Sequence, residues 1–169
     1  VDVTGPPFEM GRQIGEMTRD LFAPLVDHVM FRMNERRQEP ISREAALSAT
    51  HRFIPHVRDF LPDAMEETEG VAEGAGVTVE EVMLANVRSE VPWSIAAEGA
   101  RLEGCTTLAM SKDRATAGVG AIGQNWDNDL DMTPYSVVTI RRPAGKPAFM
   151  TWGQAGIIAY MGFSEAGVG

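Results

Sequence analysis

The sequence predicts an α+β fold, in which a helical N-terminal half is followed by a half built of β-strands. Up to about residue 91, apolar residues recur every three to four positions, which is the helical period. After Cys105 the segments become short, interrupted by glycine and typical of strands. Helices grouped before strands indicate an α+β protein rather than alternating βαβ units.

The first two predicted helices are both interrupted by proline. The first spans residues 8–37, and we expect it to bend near Pro24. The second follows Ser42, a candidate N-cap, and spans residues 43–57 with a break or kink at Pro55.

Two further helices have recognisable ends. The third begins near Pro62 and is expected to stop at the glycine pair that starts with Gly74. The fourth spans residues 79–91 and begins with a capping box, because the Thr78 hydroxyl can accept from the third amide while Glu81 reaches back. Residues 98–104 show neither period and are expected to form an exposed connection.

Five short strands are predicted in the second half. A hairpin turn is expected at residues 143–146, where proline and glycine occur together. The predicted strands are residues 105–111, 117–125, 135–141, 148–152 and 157–163.

The charge distribution divides the chain at the same point. The 169 residues include 24 acidic and 15 basic side chains, giving a net charge of −9. Residues 1–104 carry 19 acids and 10 bases, whereas residues 105–169 carry five of each. An acidic chain disfavours nucleic-acid partners, because phosphate backbones are bound mainly by Lys and Arg. No apolar run is long enough to span a membrane, so no membrane partner is expected either.

No cofactor and no metal are expected. The glycines of residues 118–123 match a dinucleotide-binding pattern, but no helical period follows them, and glycines packed closely on a neighbouring strand explain them better. Asp127 begins an alternation of acids like that of a calcium loop, but Met132 and Val138 occupy positions that the loop requires to be Gly and Glu. One cysteine can form neither an internal disulfide nor a zinc site of the CxxC type, which leaves a reducing cytoplasmic location as the default.

Cys105, the only cysteine, has two interpretations. A lone cysteine is usually a small buried hydrophobe. However, Cys105 follows Gly104 at the junction of the two halves, and its thiol could attack the carbonyl of Gly104 in an N-to-S acyl shift. That reaction needs an open backbone before the nucleophile, which glycine allows. Hydrolysis of the resulting thioester would free an α-amine on Cys105. Since such an amine has an ordinary pKa of about 7.7–8.0, it could act as the base for its own thiol.

Five stretches of the chain, taken in order, resemble a known family: the acyl-coenzyme A:6-aminopenicillanic acid acyltransferases and related C45 peptidase-like amide hydrolases, which are N-terminal nucleophile enzymes. The stretches are GPPFEMGRQIG (5–15), EGVAEGAG (69–76), LANVRSE (84–90), EGCTT (103–107) and GQNWD (123–127).

The resemblance implies a precursor that cuts itself between Gly104 and Cys105. Residues 1–104 would then be a helical α-chain, and residues 105–169 the start of a catalytic β-chain that builds an αββα sandwich of two stacked sheets. The two chains would remain together as a heterodimer. Family members are longer and have the asparagine of their oxyanion hole beyond residue 169, so the chain is expected to be incomplete at its C-terminus.

The resemblance also implies roles for single residues. By position, Cys105 matches the nucleophile and Asp127 the acid paired with its amine, while Asn125 and Gln124 are expected near the site. The aromatic residues Trp126, Trp152 and Tyr160 either line an apolar acyl pocket or belong to the core.

Two functions follow from these interpretations. The first is a thiol amide hydrolase or acyltransferase that takes a small linear amide or N-acyl substrate through an acyl-cysteine intermediate. The alternative is a non-catalytic or binding member of the fold in which Cys105 is a buried structural thiol.

Overall fold

A computed structural model describes residues 1–96 and 104–169. Six α-helices lie in the first of these ranges, preceded by one short strand, and five strands lie in the second. The helices are α1 (Pro7–Asn34), α2 (Arg43–Thr50), α3 (Ile54–Phe60), α4 (Pro62–Ala75), α5 (Val79–Asn86) and α6 (Val91–Ala96). The strands are β1 (Asp2–Gly5), β2 (Cys105–Met110), β3 (Ala121–Trp126), β4 (Ser136–Pro143), β5 (Phe149–Gln154) and β6 (Met161–Ser164), and a 3-10 helix (Leu130–Tyr135) leads into β4.

The strands form two sheets. The larger sheet has the order β1-β4-β5-β6, in which β1 pairs parallel to β4 and the other neighbours are antiparallel. The antiparallel pair of β2 and β3 forms a separate two-stranded sheet, which we call the β2–β3 ribbon. The parallel pair therefore brings a strand that precedes the helices into the sheet formed by strands that follow them.

The two faces of the larger sheet have different surroundings. Residues that alternate along β4 point to opposite faces. Arg141 is buried and bonds to Glu67 of α4, so its face is covered by helices. Val138 lies on the other face and is 46% exposed. The ribbon approaches this second face through Trp126, as described below.

Helices α1 and α4 pack so closely that backbone meets backbone. A Cβ atom added at Gly11 of α1 would overlap the carbonyl group of Glu67, and one added at Gly70 of α4 would overlap the carbonyl oxygen of Phe8. Glycine is required at these positions because any side chain would push the helices apart.

We therefore expect Gly11→Ala to destabilise the protein. Helix propensity alone predicts a gain of about 1 kcal/mol for this change, whereas forced separation of packed helices costs about 1–3 kcal/mol or more. Urea unfolding measures directly whether the free energy of unfolding rises or falls. A matched control is Gly123→Ala, since no described heavy atom lies within 4 Å of the Cβ position there. A more stable Gly11→Ala protein would contradict the close packing of α1 on α4.

The predicted helices are confirmed as elements, with corrected ends. The predicted helix of residues 43–57 is two helices, α2 and α3, separated by turn residues 51–53, because Pro55 lies in the first turn of α3 rather than at a kink. The fourth helix keeps its capping box but ends at Asn86. A further helix, α6, follows where none is predicted, and the predicted connection at residues 98–103 lies outside the described part of the chain.

The strand predictions needed larger corrections. The predicted strand of residues 117–125 begins only at Ala121, because Gly118 has a φ of +67° and belongs to a turn. Close packing is therefore the wrong explanation of Gly118. The predicted strand of residues 157–163 begins at Met161, and β1 was not predicted.

The α+β class is confirmed, and the αββα sandwich stays a prediction. No helix within residues 1–96 and 104–169 is both long and apolar enough to cross a lipid bilayer.

Candidate active site

The register of the β2–β3 ribbon determines which residues accompany Cys105. Cys105 lies opposite Trp126, and Thr107 lies opposite Gln124. Directly opposed residues of an antiparallel pair share one face, so these four side chains lie on the same side of the ribbon. Asn125 pairs with Thr106 and points to the other side. The predicted site residues Gln124 and Trp126 are thus brought to the face of Cys105, whereas Asn125 is not.

Cys105 is a free and exposed thiol. This does not agree with the alternative in which Cys105 is a buried structural residue, and that part of the alternative is wrong. Cys105 is exposed because it belongs to β2, all of whose residues are exposed within the described part of the chain. An exposed thiol is accessible to a substrate.

Asp127 contacts the peptide unit that precedes Cys105 in two ways. Its backbone N–H donates a hydrogen bond to the Gly104 carbonyl oxygen, with an N···O distance of 3.1 Å. Its carboxylate oxygen Oδ2 lies 2.9 Å from the position that a Cβ atom of Gly104 would take. The predicted acid, the predicted cleavage bond and the predicted nucleophile therefore lie together at one end of the ribbon.

This geometry can support acyl chemistry at the Gly104 carbonyl. Attack on that carbonyl would place negative charge on its oxygen, and a backbone N–H already donates to that oxygen. The carboxylate of Asp127 lies beside Gly104, the residue whose carbonyl carbon is bonded to the Cys105 nitrogen.

The ribbon meets the larger sheet through aromatic rings. The Trp126 ring lies 4.8 Å from the Trp152 ring in an edge-to-face arrangement, and 4.6 Å from the Tyr160 ring. Such pairs are favourable beyond the area they bury. Trp126 of β3 therefore links the ribbon to β5 and to the loop before β6.

A cavity of about 580 Å³ lies between the ribbon and the larger sheet. Gln124, Trp152 and Tyr160 line it together with apolar residues of β2, β3, β5 and β6, and Trp126 packs against the two aromatic members of that lining. Its size and apolar walls are typical of small-molecule sites. Trp152 and Tyr160 thus line this cavity, whereas Trp126 does not, and the binding of an acyl group there stays a prediction.

The segment that follows Asp127 is anchored to α1 by charge. Arg32 of α1 forms an ion pair with Asp129, and its guanidinium lies 3.9 Å from the Asp131 carboxylate. Burial lowers the pKa of Arg32, but the hydrogen bond to Asp129 and the neighbouring carboxylates outweigh it, so that the pKa lies above its ordinary value. These acids therefore serve as ion-pair partners of α1, which restrains the chain leaving Asp127.

Three residues near the site were missed as site candidates. Asn86 and Arg88 of the helical half contact the loop before β6. The only sequence signal for them is the LANVRSE stretch that contributes to the family resemblance. Gln154 follows Trp152 on the same face of β5 and is 3% exposed, and both polar atoms of its side chain lack a hydrogen-bond partner among the described residues.

Comparison with known proteins shows similarity to a curated acyltransferase. A scan against models of protein families finds no match. A curated protein from Emericella nidulans, the 40 kDa form of acyl-coenzyme A:6-aminopenicillanic-acid-acyltransferase, is 30% identical over 172 residues, which cover 99% of this chain. The chain spans 44% of the length of that relative.

Proposed function

Because this chain is related to the acyl-coenzyme A:6-aminopenicillanic acid acyltransferase family, we propose that it is part of a self-cleaving thiol acyltransferase or amide hydrolase. The observation that carries the proposal is the double contact of Asp127 with Gly104, immediately before an exposed Cys105. The hydrogen bond continues the antiparallel pairing of β2 and β3 by one residue pair, whereas the carboxylate beside Gly104 is not part of that pairing and is the contact that favours catalysis.

The first proposed reaction is cleavage of the Gly104–Cys105 bond. The Cys105 thiolate attacks the Gly104 carbonyl carbon, and the Asp127 N–H stabilises the charge that develops on the carbonyl oxygen. The C–N bond then breaks, the nitrogen takes up a proton, and a thioester joins Gly104 to the sulfur. Water hydrolyses the thioester, which leaves a carboxylate on Gly104 and a free thiol and α-amine on Cys105.

The second proposed reaction uses the new N-terminus on a substrate. The α-amine takes the proton of its own thiol, and the sulfur attacks the acyl carbonyl of a linear amide or N-acyl substrate. The amine leaves with a proton, and the acyl group remains on the sulfur. Water or a second amine then takes the acyl group and restores the thiol. The cavity beside Gln124 and Trp152 is where we place the acyl group.

The two proposed chains would stay together after cleavage. Strand β1 belongs to the helical chain, but it pairs along its whole length with β4 of the other chain. The buried pair of Glu67 and Arg141 joins the same two chains. A sheet and a buried ion pair that both cross the cut support a heterodimer rather than the release of a propeptide.

We expect Gly104→Ala to slow self-cleavage. The new methyl group would lie 2.9 Å from Asp127 Oδ2, the free end of a side chain, so the carboxylate would turn away from the scissile peptide bond. A misplacement of about 1 Å can cost about 10²-fold in rate, and this smaller displacement should cost on the order of tenfold. The fraction of cut chain against time, read by denaturing gel electrophoresis, measures the effect.

The matched control for this prediction is Gly123→Ala on the neighbouring strand. Among the described residues, no heavy atom lies within 4 Å of the Cβ position at Gly123, so cleavage should keep its rate. Equal cleavage rates of the two variants would show that Asp127 does not constrain Gly104.

The activity itself is tested by trapping the acyl-enzyme. The full-length protein is mixed with octanoyl p-nitroanilide, quenched in acid and analysed by intact mass. We expect an octanoyl adduct on the fragment that begins with Cys105, together with release of p-nitroaniline. A cut enzyme that releases p-nitroaniline without any adduct on that fragment, even at the earliest time, would argue against an acyl-cysteine intermediate.

A further inference from the structure

The loop between β5 and β6, residues 155–160, is held by side chains from the helical half. Asn86, the last residue of α5, donates from Nδ2 to the Gly156 carbonyl oxygen at 3.0 Å. Its Oδ1 accepts from the Ile158 N–H at 3.1 Å. A single amide side chain thus satisfies backbone groups at two points of the loop, which fixes the path of the chain between them.

Asn86 is itself held in place. Its second Nδ2 hydrogen bond, at 2.9 Å, goes to the Val82 carbonyl oxygen within α5. The amide therefore uses both N–H groups and its oxygen. Arg141, on the helix-covered face of the larger sheet, adds a further hydrogen bond: its Nη2 donates to the Ile158 carbonyl oxygen at 2.9 Å. A loop restrained at this many points has little freedom to change shape.

Arg88, which lies just beyond α5, contacts the end of the same loop. Its Nη1 donates to the Tyr160 hydroxyl, and its guanidinium carbon lies 5.3 Å from the centre of the Tyr160 ring. One side chain thus binds both the polar tip and the face of the tyrosine. The second contact is a cation–π interaction, which orients the ring as well as attracting it.

Tyr160 connects the restrained loop to the candidate site. Its ring lines the cavity and lies 4.6 Å from the Trp126 ring, and Trp126 lies opposite Cys105 in the ribbon. Its backbone N–H donates to the Trp152 carbonyl oxygen at 3.3 Å. The contacts therefore run from α5 through the loop to the residue beside the nucleophile.

We propose that Asn86 and Arg88 are positioning residues for the acyl pocket, which hold the 155–160 loop so that the Tyr160 ring forms the cavity wall next to Trp126, the residue opposite Cys105. This rests on the proposed function for its catalytic meaning. Both residues precede the proposed cleavage bond, so the helical chain would determine acyl specificity after cleavage instead of serving only to keep the precursor inactive.

Two small changes test the proposal without removing a ring or a helix. Tyr160→Phe keeps the aromatic wall and removes the hydroxyl that Arg88 binds. Arg88→Met removes the charge and keeps a long apolar stem. The control is Arg58→Met, which removes an exposed arginine paired with Glu69 away from the site. Thermal melting followed by circular dichroism checks that each variant is folded.

The first measurement is turnover by the full-length protein of octanoyl and acetyl p-nitroanilide. Loss of a hydrogen bond to a charged group that shapes the pocket should raise KM for the octanoyl substrate by about tenfold. It should leave kcat for the acetyl substrate, whose short chain does not reach the wall, within about twofold. If the two residues only stabilised the fold, kcat/KM would fall by the same factor for both substrates.

The second measurement does not depend on catalysis. Octanoate cannot acylate the thiol, so its binding is measured by calorimetry on full-length protein that keeps Cys105, with no change or with Tyr160→Phe, Arg88→Met, both, or Arg58→Met. We expect the two single changes to weaken binding by similar factors, the double change to add little to either, and the control to have no effect.

The outcomes separate the two proposals. Equal octanoate binding in all variants would overturn the role of Arg88, and so would additive losses, because independent effects mean that Arg88 does not act through Tyr160. If the natural protein neither cuts itself nor releases p-nitroaniline, the proposed function fails, and the binding series still decides whether Arg88 and Tyr160 shape the cavity.

Discussion

Cys105→Ala is expected to abolish both self-cleavage and turnover. Alanine offers no sulfur to attack the Gly104 carbonyl, so neither the thioester nor the free α-amine can form. Intact mass of the full-length variant should give one uncut species that does not change over days, whereas the natural protein should give two fragments that meet between Gly104 and Cys105. Turnover should fall to the background rate because the nucleophile and its base are lost together.

Two further variants make this result specific. Cys105→Ser keeps a weaker nucleophile and should cut slowly, which would separate a chemical defect from a folding defect. Thr106→Ala changes the next residue, whose side chain points to the opposite face of the ribbon, and should cut at the natural rate. Cleavage of Cys105→Ala at the same bond would exclude Cys105 as the processing nucleophile. An uncut natural protein would exclude processing altogether.

The pairing that places Asp127 beside Gly104 could not be derived from periodicity. The family resemblance picks out both residues, but only the antiparallel register of β2 and β3, with Cys105 opposite Trp126, brings the end of one strand to the start of the other. A shift of one residue would turn Trp126 away from the face of Cys105. The sequence restricts the candidate site residues to a few positions, and the strand register determines which of these residues lie together.

Asn125 illustrates the limit of reasoning from adjacency. The family resemblance predicts it near the nucleophile, because it lies at the same strand end as Asp127. The alternation of a strand instead directs it away from Cys105. A catalytic role for Asn125 stays a prediction, and if it has one, it must act from the far side of the ribbon.

The helices were predictable because their signals are local. The capping box at Thr78 and the left-handed Gly76 that ends α4 each depend only on residues that are close in the sequence. Strand β1 was not predictable, because its four residues are stabilised by pairing with β4, more than a hundred residues later in the chain. The loop contacts of Asn86 are also long-range, since Gly156 is separated from it by 70 residues.

Glu67→Gln is expected to cause the largest loss of stability. Arg141 is 2% exposed and its guanidinium forms a bidentate contact with Glu67, at 2.9 Å from Nε and 2.6 Å from Nη2. It also donates to the Thr151 hydroxyl at 2.6 Å. Removing the negative charge leaves a buried guanidinium without its counter-ion, which typically costs about 3–5 kcal/mol. Urea unfolding measures this loss as a shift in the midpoint.

An exposed ion pair on the same strand gives the matched control. Arg142, the next residue, pairs with Asp2 of β1, and both side chains are more than half exposed. Asp2→Asn should change stability little, because solvent screens such pairs. A loss in Asp2→Asn as large as that in Glu67→Gln would mean that the two pairs do not differ in burial as described.

A double variant separates the charge from the packing. In Glu67→Met with Arg141→Met, neither charge is buried and much of the side-chain volume is kept, so the protein should recover much of the stability that Glu67→Gln loses. Recovery would mean that the cost in the single variant is the unpaired charge. If the double variant is as unstable as the single one, the network that includes Thr151 and the Ile158 carbonyl contributes the stability instead. In that case the tie between α4 and the 155–160 loop depends on the guanidinium of Arg141 itself, and octanoate binding should weaken in the double variant.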